Sequence, residues 1–275
     1  GVLIGEINDR EMVPVERLRA AGQALEGEER ELLTRYLVKT GNREFVDLDF
    51  RWVLETDIKS RTQPAELAMV ERTTNGNFYG YITSVKEDGR ELTQDMHPAL
   101  QRVLARANAL SEQANDLQKG DIGSINYQLE KLRLKERKAE LEGELTDALK
   151  ADLAAQRQAL NDRYQVLEKE LFSLRAQADR DAITVKDMRG ELVTMPMSKV
   201  LDVVWPNDMS LPAKVGHWFH QIGKFVSDDP REANTEGGVF PAIFGTVFMV
   251  LLMAIIVTPL GVVAAVYLHE YAGKN

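Results

Sequence analysis

The chain has 275 residues, a net charge of -9 and no cysteine. The acidic balance argues against nucleic-acid binding, because neutralising phosphates needs a basic surface. The missing cysteines exclude disulfides, thiolate metal sites and cysteine nucleophiles.

Along the chain, Val2 to Gly5 reads as a short strand. Glu28 to Thr40 reads as a helix, with Leu32, Leu33, Tyr36 and Leu37 on one face and Gly41 placed to end it. Val46, Leu48, Phe50, Trp52 and Leu54 alternate with mostly polar residues, which predicts a strand with one buried face. Two further strands, Glu66 to Thr73 and Phe78 to Lys86, flank Asn75-Gly76, the strongest short hairpin signal because both residues tolerate positive φ. Trp52, Tyr79 and Tyr81 suit either an aromatic platform or ordinary sheet packing.

From His97 to about Asp181 the pattern is that of a coiled coil. Leu100, Val103, Ala107, Leu110, Ala114 and Leu117 alternate spacings of three and four. The rhythm breaks at Lys119-Gly120-Asp121-Ile122-Gly123 and resumes one residue out of step at Ile122, Ile125, Leu129 and Leu132, marking a local unwinding. Leu153, Leu160, Leu167 and Leu174 follow at seven-residue intervals, with Tyr164, Leu171 and Ala178 between them. We expect an antiparallel hairpin turning between Ala139 and Ala148, with limbs on the order of 60 Å, or one long helix pairing with another chain. Lys131, Arg133, Lys135, Arg137 and Lys138 form a basic cluster near the expected tip. It suits an anion or partner contact, or a solvated face paired with neighbouring glutamates.

Beyond the hairpin, Ala182 to Val185 and Glu191 to Met195 read as strands, and Ser198 to Val204 as a short helix. These elements are expected to complete the sheet begun before the hairpin. Leu211 to Val226 reads as an amphipathic helix, with Val215, Trp218, Phe219, Ile222, Phe225 and Val226 on one side, as suits a membrane interface. His217 and His220 have a metal-compatible spacing without a third ligand. Asp228, Asp229, Glu232 and Glu236 make an acidic approach to the last segment. Val239 to Leu268 is thirty residues long without a charged side chain, more than the roughly 20 apolar residues that span a bilayer as a helix. Lys274 beyond it leans towards an inside C-terminus. No phosphate-binding loop, nucleophile elbow or zinc-protease motif is present, so no catalytic residue, cofactor or metal site is expected.

The expected organisation is an α+β domain over 1–97 and 182–210 with a small mixed sheet. Into it the coiled-coil hairpin, 98–181, is inserted. A membrane-proximal segment, 211–236, and a transmembrane helix, 237–275, follow. The N-terminal Gly and the closing Gly-Lys-Asn suggest a piece of something longer.

One stretch resembles a known family. Gly237-Gly238, Pro241-Ala242-Ile243-Phe244-Gly245-Thr246, Pro259-Leu260-Gly261-Val262-Val263-Ala264-Ala265 and Glu270-Tyr271-Ala272 are similar to the start of the permease core in PstA-type subunits of phosphate ABC importers. The similarity extends over about 60 residues from Leu211. It implies a bacterial inner-membrane, multi-pass permease whose body, residues 1 to about 236, lies on the periplasmic side. It also implies a second, PstC-like permease subunit, a cytoplasmic ABC ATPase that hydrolyses the ATP, and an external phosphate-binding protein as partners. Gly245 and Thr246 would then suit close helix packing, and Pro259 and Gly261 a kink or helix end. The ATPase-contacting loop of that family is absent from this sequence, and the long hairpin is an addition to its short members. The other reading is a single-pass scaffold or sensor anchored by the apolar run.

Overall fold

The computed structural model describes residues 1–46, 48–228, 230–231 and 236–271. The fold mixes helix and sheet and divides into two units, Gly1–Asp208 and Met209–Asn275.

The first unit opens with an antiparallel sheet of β1 (Glu6–Pro14), β2 (Leu32–Lys39) and β3 (Phe50–Leu54), in the order β1-β2-β3. A short helix, α1 (Val15–Ala20), lies between β1 and β2. Val13, Val15, Leu18, Leu25, Leu33 and Leu54 form its core. The expected helix over Glu28 to Thr40 is therefore strand β2. Its two buried residues, Leu33 and Val38, stand five apart, which is not one face of a helix, and Thr34, Tyr36 and Val38 favour a pleated surface. Partners on both sides then satisfy its backbone. The first strand starts at Glu6 rather than Val2, and Glu11, opposite Arg35 in register, bonds it at 2.7 Å. The strand expected from Val46 begins only at Phe50. Phe50 and Trp52 remain part-exposed, with Lys39 and Arg35 over their rings, and Leu54 alone enters the core.

The second sheet contains β4 (Leu67–Arg72), β5 (Phe78–Glu87), β6 (Arg90–Leu92), β7 (Ala182–Lys186), β8 (Leu192–Pro196) and β9 (Val200–Val204). Its order is β8-β7-β5-β4-β9, with β6 also on β5. Every pairing among the described residues is antiparallel, so the sheet is not mixed, and there are two sheets where one was expected. Asn75 and Gly76, at φ 63° and 64°, make the β4–β5 turn as their sequence predicts. The helix expected at Ser198 is a 3-10 turn, Met197–Lys199, followed by β9. The fully buried Met197 and Val200 pin that segment, and β4 offers an edge that β9 completes at Val70 and Val203.

Between β6 and β7 the chain runs through α2 (Met96–Leu117), a π-helical turn (Gln118–Ile122), α3 (Gly123–Glu142) and α4 (Asp147–Ala178). The π turn falls on the expected break. From Leu117 to Ile122 is five residues where the seam calls for four, and a π turn absorbs the extra one, so apolar residues on both sides keep facing α4. The reversal lies at 143–146: Gly143 adopts φ 72°, and the Thr146 hydroxyl accepts from the Leu149 N–H at 3.2 Å to cap α4. Antiparallel contacts run the length of the pair, from Arg157–Glu136 at 2.6 Å through Arg175–Gln118 at 2.7 Å to Arg106 donating to the Gln177 carbonyl at 2.8 Å. Ala99, Leu100, Val103 and Ala107 of α2 pack on the second sheet against Val85, Ile183 and Met197. Farther out, Ala114, Leu117, Ile122, Tyr164, Leu167, Leu171 and Leu174 pack together.

The second unit holds α5 (Leu211–Ser227), a two-residue ribbon of β10 (Pro230–Arg231) and β11 (Glu236–Gly237), and α6 (Phe240–Tyr271).

Candidate functional site

The apolar helix α6 is built by composition alone. Its 32 residues extend about 48 Å at 1.5 Å per residue, enough to cross a hydrocarbon core of about 30 Å with residues to spare. It is the one helix among the described residues long and apolar enough to cross a membrane, and none of its most apolar window is buried within the chain. Phe240, Phe244 and Phe248 stack at four-residue intervals with centroids 6.2 Å apart, and Tyr267 stacks on Tyr271 at 5.3 Å. The Thr246 hydroxyl donates to the Ile243 carbonyl at 2.9 Å, so it is satisfied within its own helix. The helix continues through Pro259 and Gly261 to Tyr271 without the expected end there. Pro259 withholds the N–H that an α-helix directs back one turn, and its ring crowds the carbonyl four residues earlier. A side chain at Gly245 or Gly261 would meet open space in this chain.

The entry to α6 is structured by backbone contacts. The Val239 N–H donates to the Phe225 carbonyl at 2.8 Å, tying the end of α5 to the start of α6. Gly238 lies so close to the Asp228 backbone that a β-carbon would collide with it, giving this glycine a steric reason. Asp228 is thus a backbone partner of that entry. Asp229, Glu232, Lys274 and Ala272 lie outside the described residues.

Helix α5 forms where its amphipathic pattern predicts, with Pro212 in its first turn. Val215, Trp218, Phe219, Ile222, Phe225 and Val226 all have exposed side chains, Trp218 edge-on to Phe219 at 5.1 Å. His217 meets Gln221 at 3.4 Å, and no group of three metal-ligating side chains occurs among the described residues.

The basic cluster precedes the hairpin turn, near the tip as expected. It occupies the shaft of α3, five to twelve residues before Gly143, or about 8–18 Å below the turn. Three of its members are bound locally: Arg133 to Glu130 at 2.7 Å, Arg137 to Glu140 at 2.6 Å and Lys138 to Glu142 at 3.9 Å. The helical-spacing pairs of a solvated face account for these three. Lys131 and Lys135 stand exposed between them.

Trp52 and the two tyrosines do not form a platform, since they belong to different sheets. Tyr79 is buried, and burial first, then the nearby Glu6 carboxylate it bonds at 3.1 Å, raises its pKa above the ordinary phenol value.

Two anchoring groups lie outside the sequence reading. Asn42, fully buried at φ 52°, uses its side-chain amide as a strand would use its backbone, accepting from the Tyr79 N–H at 2.8 Å and donating to the Tyr79 carbonyl at 3.2 Å. It fastens the loop before β3 to β5. Asp181, fully buried at the base of the hairpin, accepts from Arg180 at 2.9 Å, from the Asp88 N–H at 2.9 Å and from Arg106 at 3.4 Å. Burial works to raise its pKa, but the Arg180 and Asp88 hydrogen bonds outweigh this and hold it below the usual carboxylate value. Asp187 is lowered in the same way: burial is opposed by Arg189 and by two backbone N–H groups of the β7–β8 turn. A lone Asn and an Asp in a charged stretch carry no periodicity, so no pattern marks them.

A shallow cavity of about 280 Å³ opens between Ile82, Met96, His97, Leu100 and Trp205, where the His97 and Trp205 rings lie 4.1 Å apart. Comparison with protein-family models, with curated proteins and with solved structures finds no match to this chain.

Proposed function

We propose that this chain is the extracytoplasmic part and first core transmembrane helix of a PstA-like permease subunit in an ABC importer for inorganic phosphate. The observation that carries this reading is the motif series from Gly237 to Ala272, from its glycine entry to its closing Glu-Tyr-Ala. On this reading α6 spans the inner membrane of a longer, multi-pass subunit, with Gly245 and Gly261 facing neighbouring helices. Residues 1–236 are periplasmic, and α5 lies at the membrane interface with its Trp218 and Phe219 at headgroup level. A PstC-like subunit, an external phosphate-binding protein and a separate ATPase complete the importer. The chain itself is not an enzyme. The helical hairpin is an inserted antiparallel coiled coil that reaches towards the binding protein or another envelope component.

The test is phosphate uptake at limiting phosphate in cells of the native host lacking the gene. Loss of uptake, restored by the intact gene, is expected, and undiminished uptake overturns the reading. Restoring the gene without the codons for residues 119–157 isolates the arm: unchanged uptake and unchanged docking of the binding protein would remove its assigned role.

A second reading, a single-pass scaffold anchored by α6, is favoured by there being one helix among the described residues long and apolar enough to span, in a chain that also carries a long helical arm. Insertion of glycosylation or cysteine-labelling tags into the natural reading frame separates the two by counting spans.

A further inference from the structure

The seam between α3 and α4 is apolar or aromatic at every position but two. Through the π turn and α3 it runs along Ile122, Ile125, Leu129, Leu132, Glu136 and Ala139, at alternating steps of three and four residues. On α4 the same steps lead from Leu153 through Arg157, Leu160 and Tyr164 to Ala178. The two exceptions meet: the Arg157 guanidinium donates to the Glu136 carboxylate at 2.6 Å. Neither has another ion-pair or hydrogen-bond partner among the described residues. Their side chains are 39% and 36% exposed, against 68% and 51% for the surface pair Arg133–Glu130. They border an open groove lined by Asn126, Glu130, Arg133 and Asn161, which spares both charges full desolvation. Between the pair and the turn lie Ala139 and Leu153, both buried.

Leucines at seven-residue intervals do not set a register by themselves. Sliding α4 by one heptad brings leucine to where leucine stood, since Leu153, Leu160, Leu167 and Leu174 are interchangeable under that shift. The slip moves the reversal by only about one helical turn, so the cap at Thr146 and the bend at Gly143 oppose it weakly. The same slip carries Arg157 about 10 Å past Glu136, beyond any hydrogen bond. Each charge then faces the seam without a counter-charge, the arrangement in which burial costs most. Parallel pairing with a second copy fares no better, setting Glu136 against Glu136 or Arg157 against Arg157. A well-packed apolar pair would hold the two helices at least as tightly, so stability alone does not account for charges in this seam.

We infer that Glu136 and Arg157 determine the pairing specificity of the arm: they select this antiparallel register of α3 with α4 over the one-heptad slips that the leucines permit. The turn at 143–146 joins the helices, and the ion pair decides how they are laid together. This holds whether or not the chain serves phosphate import, since it rests on the hairpin alone.

The test reads the register itself. The chain has no cysteine, so spin labels can be placed on Lys135→Cys in α3 and Lys169→Cys in α4 of the whole chain in detergent micelles. Both sites are exposed, and Lys169 stands twelve residues, about 18 Å, beyond Arg157 along α4. A slip of one heptad changes the label separation by roughly 5–10 Å, which pulsed dipolar spectroscopy resolves. The otherwise unaltered chain should give one separation. Glu136→Leu with Arg157→Leu should keep its helicity in circular dichroism and add a second, displaced separation. Glu136→Arg alone, which sets two arginines together, should add it as well. The exchanged variant, Glu136→Arg with Arg157→Glu, should return the single separation. A single native separation in the leucine variant assigns the register to the turn and overturns the inference. So does a second separation in the unaltered or the exchanged chain.

Discussion

The two units solve the problem of apolar surface in opposite ways. In Gly1–Asp208 the large side chains are turned inward: Phe78, Leu33, Ile183 and Met197 have no exposure at all. In Met209–Asn275 the described helices α5 and α6 have no buried residue, although they contain the most apolar stretch of the chain. The first unit is held by packing and by pairing across sheets, while α6 is held by its own backbone hydrogen bonds and needs an apolar solvent. Stability in the one is set by which neighbours touch. In the other it is set by what surrounds the helix.

That contrast can be broken from either side. Within the body the largest expected effect is Phe78→Ala, which leaves a cavity in the second sheet's core and should lower the unfolding free energy by about 3–5 kcal/mol in denaturant titration. Leu251→Ala in α6, whose side chain touches no core, should change the same transition by less than about 0.5 kcal/mol. Next, arginine in place of both Val250 and Met253 should add about 5–7 kcal/mol to insertion of α6, since each charge at a span centre costs about 2.5–3.5 kcal/mol. The protein should then leave the carbonate-resistant membrane fraction, and retention there would refute the spanning role.

Smaller effects sharpen the picture of the body. Asp181→Asn keeps an acceptor for the Asp88 N–H but removes the charge between Arg180 and Arg106, at an expected cost of about 1–2 kcal/mol. Asp181 and Asp187 have pKa values below their unfolded values near 3.9. Their contribution is therefore present above about pH 4 and is lost as pH falls through their folded values, with Glu28, held at about 2 chiefly by its Arg30 hydrogen bonds, titrating in the same direction. Melting temperature should hold from pH 7 to about 5 and decline in acid, less steeply in Asp181→Asn. The smallest effect belongs to deletion of Gly120, which converts the π turn to an α turn while keeping the seam in phase. It should alter stability by less than about 0.5 kcal/mol, whereas one residue inserted after Leu132 should disorder the distal hairpin.

What the sequence makes legible follows from how far each signal reaches. Strands β4, β5, β7 and β8, the Asn75-Gly76 turn, the break in the helical rhythm and the reversal near Gly143 are written in local spacing, and each falls where its residues predict. Helix α6 is legible for the same reason, because thirty uncharged residues need no partner to declare themselves. The failures lie where partners decide. Leu32–Lys39 carries a passable helical face, and only pairing with β1 and β3 makes it a strand. Val200–Val204 becomes a strand because β4 has a free edge beside it. Of the site, the long apolar helix, the amphipathic helix before it and the basic cluster just ahead of the turn were readable from the residues.

The π turn has a bearing on how relatives of this protein would line up. Because it takes up a residue without moving either seam, a chain lacking one residue between 118 and 122 would fold to the same hairpin, with every later contact displaced by one number and none in space. A gap at that point would be silent in three dimensions, while a gap of one anywhere else in α3 or α4 would turn the far half of the helix by about 100°. Length differences among arms of this kind should therefore collect at the π turn, and elsewhere come in sevens.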